Sequence, residues 1–76
     1  MKENVSMSLK KGILKSFDSL NYTATVTLSG SYKADLKDIA VARNIDSAVM
    51  VAGRNVAIFF PDEHNAREAV VITVYT

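Results

Sequence analysis

The chain has 76 residues, 49% of them hydrophobic, with nine Lys or Arg against eight Asp or Glu and a net charge of +1. That length holds one domain around one core, residues 1–76, and a charge so near zero gives no field for gripping a polyanion. Cysteine is absent, which excludes disulfides and thiolate metal sites and fits a reducing compartment.

The amino end, "MKENVSMSLKKG", lacks the apolar block of a signal peptide, and residues 1–4 read as frayed. No stretch has the roughly eighteen apolar residues of a membrane span. The abundance of valine and isoleucine favours strands. In the first segment Val5, Met7, Leu9, Ile13 and Phe17 share one parity, the period-2 mark of a half-buried strand, while Leu14 sits on the other. Gly12 falls where this pattern falters and predicts a bend, so that one long strand serves both sides of a closed sheet.

"DSLN", residues 18–21, reads as a turn whose side chains bond local amides. After it, Tyr22, Ala24, Val26 and Leu28 point one way and Thr23, Thr25, Thr27 and Ser29 the other, which predicts the second strand. "SGS", centred on Gly30, reads as a tight hairpin. A third strand begins at Ser31 or Tyr32. Its parity slips at Asp38 before Ile39 and Val41 resume the apolar face, which predicts a bulge.

In "RNIDSAVMVAGR", Asp46 is placed to cap a short helix through Met50, with Ile45 and Met50 as a hydrophobic staple and Gly53 as a left-handed stop, the alternative being an irregular loop. Val56, Ile58 and Phe60 mark the inner face of a fourth strand, and Val70, Ile72 and Val74 that of a fifth. The fold expected is all-β: a small five-stranded OB-like barrel with one short helix between strands 3 and 4.

The polar stretch "PDEHNARE" holds the single histidine, His64, among carboxylates. A general base needs a nucleophile and a concave site as well, and a metal needs three or four spaced ligands. The stretch reads instead as a connector: Pro61 ends a strand and Asp62 and Asn65 favour a turn. No catalytic, cofactor-binding or metal-binding residue is expected, and no enzyme activity.

Two surfaces remain. On the last two strands Phe59, Val71 and Tyr75 are read as an outward apolar patch for protein contacts, unless the amino end folds over it. On the second and third strands Tyr22, Tyr32, Lys33 and Lys37 offer an alternative face for single-stranded nucleic acid. Tyr22 and Tyr32 share parity with core residues, and Asp35 and Asp38 interleave with the lysines, so nucleic acid is the weaker expectation.

The stretch "VAGRNVAIFFPDEHNAREAVVITVY" resembles the closing hairpin of OB-type domains in phage tail-tip and baseplate spike proteins, through Gly53, Val56, Ile58, Phe60, Asp62, Asn65, Val70, Ile72 and Tyr75. "KGILKSFDSLNYTATVTLSGS" likewise resembles the opening of small phage and prophage virion proteins. The resemblance implies a structural virion protein of tail, baseplate or capsid. It would assemble with copies of itself or with other virion proteins, and lie in the virion or in the bacterial cytoplasm before assembly. It brings no active-site residues. Spike proteins continue beyond the barrel, so a chain ending at Thr76 is not expected to be a complete spike, and the resemblance leaves open a hub, adaptor or surface-attached role.

Overall fold

A computed structural model describes residues 7–29, 34–62 and 65–75. It contains five strands: β1 (Ser8–Asp18), β2 (Thr23–Leu28), β3 (Asp35–Val41), β4 (Asn55–Phe60) and β5 (Val70–Tyr75). Their order is β1-β2-β3-β5-β4, and β4 pairs back onto β1, so the sheet closes in a ring. Every pairing is antiparallel except that of β3 with β5. Closing the ring leaves few free backbone groups for stray pairing, which suits so β-prone a sequence.

The long first strand does serve both sides. Ser8 to Ile13 pair with β4 and Gly12 to Asp18 with β2, so Gly12 and Ile13 touch both neighbours. The expected inner face of β1 is corrected, however. Gly12 and Leu14 face the core, whereas Met7 and Leu9 are 67% and 63% exposed and Ile13 points outward beside them. The register skips at Lys15, and this bulge brings Phe17, the next odd residue, back inward against Ala24. Val5 lies outside the described residues.

Gly12 is therefore a contact position rather than the bend. A Cβ there would lie 2.9 Å from the Thr27 carbonyl oxygen and 3.1 Å from Ile58 Cδ1. The inner wall is too close at this point for any side chain.

Strand β2 follows its alternation, with Ala24 and Val26 buried and Tyr22 and Leu28 half-buried beside them. The Gly30 hairpin, Ser31, Tyr32 and Lys33 lie outside the described residues, and Leu28 N–H donates to the Ala34 carbonyl at 2.8 Å across the gap. The slip in β3 is a bulge: Ala24 faces Ile39 and Val26 faces Leu36, so Lys37 and Asp38 oppose Thr25 alone. Asp38 takes φ +55 there, a conformation that aspartate tolerates better than most residues.

The expected helix after Asp46 is instead a single 3-10 turn, Ser47–Val49. Asp46 caps it, accepting from Ala48 N–H at 3.0 Å, and its backbone bonds run from Val49 to Asp46 and from Met50 to Ser47. One turn between cap and exit is too short to nucleate an α-helix, so the tighter form prevails. Ile45 and Met50 on either side are both buried, as a staple would place them. Gly53 has φ +97, and its N–H donates to Leu14 while Leu14 N–H donates to Arg54, tying this turn to β1.

Val56, Ile58 and Phe60 of β4 are buried as expected. In β5 the expected parity fails in the first half. Val71 is wholly buried, Ile72 is 39% exposed and Val74 is half-buried. Ala57 faces Thr73 and Ile58 faces Val71, so Ile72 is the extra residue of a bulge that reverses the alternation. Leu14, Ala24, Val26, Ile39, Val41, Val56, Ile58, Phe60, Ala69 and Val71 form the core of the ring.

Candidate functional site

Antiparallel pairs place facing residues on the same side of a sheet. With Val56, Ile58 and Phe60 inward, the odd residues of β4 face out, and register carries that choice to both neighbours. Three rows result across β1, β4 and β5: Leu9–Phe59–Val70, Lys11–Ala57–Thr73 and Ile13–Asn55–Tyr75. Leu9, Ile13 and Tyr75 are exposed; Phe59, Ala57 and Val70 are half-buried by their row neighbours. Six of the nine positions are apolar or aromatic, and the one charge is the lysine in the middle row.

This surface differs in membership from the patch expected. Phe59 and Tyr75 belong to it, at opposite ends of β4, where they pair with Val70 and Asn55 respectively. Val71 does not: it is 0% exposed and its place is taken by Val70. Leu9 and Ile13 were missed because β1 was given the opposite parity. Gly12 was the signal that could have found them, since the residue facing a crowded wall is the one with no side chain.

The alternative face is dismantled in part. Tyr22 is structural: its hydroxyl donates to the Ile45 carbonyl, and its ring meets Phe17 edge-on at 5.1 Å with the Arg43 guanidinium over it. Tyr32 and Lys33 lie outside the described residues. Lys37 is exposed beside Asp35, Asp38 and Arg67 along an open groove of about 450 Å³. Asp35 accepts from the Thr27 hydroxyl at 2.7 Å and from Lys15 at 3.3 Å, and these bonds hold its carboxyl below the usual carboxylate range. Local charges of both signs offset one another there, which weakens attraction for a phosphate backbone.

His64 and Glu63 lie outside the described residues. The rest of their stretch is a connector, as read from the sequence. β4 ends at Phe60, Asn65 N–H donates to the Asp62 carbonyl at 2.8 Å, and Asn65 caps a 3-10 turn at Ala66–Glu68. Among the described residues no group of three or more His, Cys, Asp or Glu could hold a metal ion, and no helix is long and apolar enough to cross a membrane.

A further feature stands at the β1–β2 turn. Leu20 is 87% exposed, yet its turn is well fixed. The Asp18 carboxylate accepts from Leu20 N–H at 2.9 Å, Asn21 N–H at 3.3 Å and the Asn21 side-chain amide at 2.9 Å. These bonds, that of the Asn21 side chain first, lower the Asp18 pKa.

No family model, curated protein or solved structure matches the chain.

Proposed function

We propose that the chain is a single OB-like five-stranded barrel serving as a structural, non-enzymatic assembly module of a phage or prophage particle. It contacts copies of itself and other virion proteins, in the particle or in the bacterial cytoplasm before assembly. The ring order with one parallel pairing, β3 to β5, supports the OB-like reading. The resemblance of the closing hairpin to tail-tip and baseplate spike domains supports the setting.

The observation that carries the mechanism is the outer face of β1, β4 and β5. Leu9 at 63% exposed, Ile13 at 37% and Tyr75 at 41% share one surface with the flanks of Phe59 and Val70. Contiguous apolar surface on a small domain marks an interaction site. Burying a leucine or isoleucine side chain contributes about 1.5–3 kcal/mol relative to leaving it exposed. A few such side chains are enough to drive association.

Because the chain has no cysteine, a single Leu9→Cys substitution gives a clean reporter. Its thiol should react quickly with a maleimide in dilute solution and more slowly as protein concentration rises and copies cover the face. A rate independent of concentration, alongside an unchanging mass, would overturn self-assembly through this surface.

A further inference from the structure

The ring consists of two leaves. In one, the second half of β1 pairs with β2 and β2 with β3; in the other, the first half of β1 pairs with β4 and β4 with β5. They share the middle of β1. There Gly12 and Ile13 pair with both neighbours, the Lys11 carbonyl accepts from Ser29 N–H at 3.0 Å and Leu14 N–H donates to the Arg54 carbonyl at 2.9 Å. Across the ring the leaves meet at the parallel junction of β3 with β5. Its pairs among the described residues are Ala40–Val70 and Val41–Val71, continued by Ala42 N–H, which donates to the Val71 carbonyl at 2.9 Å. Both flanks of the junction are open. Residues 35–39 of β3 line one groove, about 450 Å³, with Ala66 and Arg67, and residues 72–75 of β5 line another, about 310 Å³, with residues 44–46 and Val49.

We infer that the β3–β5 junction is a clasp. It opens while the four antiparallel ladders stay intact, turning the closed ring into an open sheet joined along the middle of β1. Parallel pairing is slightly weaker per residue than antiparallel, and each of the other ladders holds at least four pairs. Opening also parts core residues, since Val41 and Val71 are buried, so the open state is a minor one. It still costs less than global unfolding, because every other ladder survives. Residues 42–54, which cross between the leaves, do not oppose it. The Tyr22 hydroxyl holds their first turn to the first leaf through the Ile45 carbonyl, and Gly53 N–H donates to Leu14 of the shared strand at 2.8 Å. The outer face of β1, β4 and β5 lies on the second leaf and its join, so this motion leaves that face whole while β2 and β3 swing.

Native-state hydrogen exchange of the unmodified protein in rising urea tests the clasp at neighbouring amides. Val41 N–H donates to the Tyr22 carbonyl at 3.0 Å within the first leaf, whereas Ala42 N–H crosses the clasp. The N–H and C=O of a strand residue point the same way, so Val71 N–H faces β3 and Val70 N–H faces Phe59 of β4. Ala42 and Val71 should be protected less than Val41 and Val70, by about tenfold or more, with a weaker dependence on urea. Fraying from the start of β5 would instead free Val70 before Val71.

A disulfide between Ala40→Cys and Val70→Cys locks the clasp in a chain with no other cysteine. Adjacent strands lie about 4.8 Å apart, within the reach of such a bond. Once its formation is verified by mass, Ala42 and Val71 should rise to the protection of Val41, while the reduced pair keeps the difference. Equal protection and equal urea dependence at all four amides of the parent would overturn the inference. So would Val70 less protected than Val71, or a difference that survives the disulfide.

Discussion

Val71→Asp should leave no stable folded domain, while Ile72→Asp, one residue on, should fold with a midpoint near that of the parent. Val71 is 0% exposed in the centre of the ring, opposite Ile58, and among the described residues no polar or charged residue is buried that could receive a carboxylate. Breaking or burying a charge without a partner costs several kcal/mol, and a domain of this size has about 4–11 kcal/mol in total. Ile72 is the bulge residue and its side chain reaches water. Circular dichroism with urea titration separates the two. A folded Val71→Asp protein with the parent's midpoint would mean that β5 runs in the opposite register.

Gly12→Val is the second substitution expected to have a large effect. The added Cβ would meet the Thr27 carbonyl oxygen at 2.9 Å, a backbone atom held in the β1–β2 ladder, and Ile58 Cδ1 at 3.1 Å. Overpacking of this kind costs about 1–3 kcal/mol and sometimes more, and the branched methyls of valine add to the crowding. Ile58→Val removes the Cδ1 atom and should recover part of the loss, whereas the Thr27 contact remains. A double-mutant cycle in urea would show that coupling. Additive effects would mean that the carbonyl alone sets the limit.

The sequence made the ring legible where polar and apolar residues alternate strictly. In β2 threonines alternate with Ala24 and Val26, and in β4 the positions of Val56, Ile58 and Phe60 carry larger apolar groups than Ala57. The Asp38 slip was legible because it interrupts an established parity. In contrast, β1 has lysines at 10, 11 and 15, on both parities, so charge does not report which face is wet. The run from Ala69 to Tyr75 has only Thr73 as a polar marker, and a bulge at Ile72 therefore leaves no trace in the pattern. Both misread strands border β4, so the outer face changed in membership while its location on the last hairpin persisted. Leu20 was invisible for another reason: whether a turn leucine is tucked in or held out depends on the direction of the turn, which sequence alone does not give.

The central claim is that the outer face of β1, β4 and β5 holds copies of this chain together. Sedimentation equilibrium of the Leu9→Glu/Ile13→Glu double variant beside the parent tests it most directly, because both side chains are exposed and neither belongs to the core. The account expects a parent whose mass rises with concentration and a folded variant that stays monomeric. A variant that associates as strongly as the parent would contradict it.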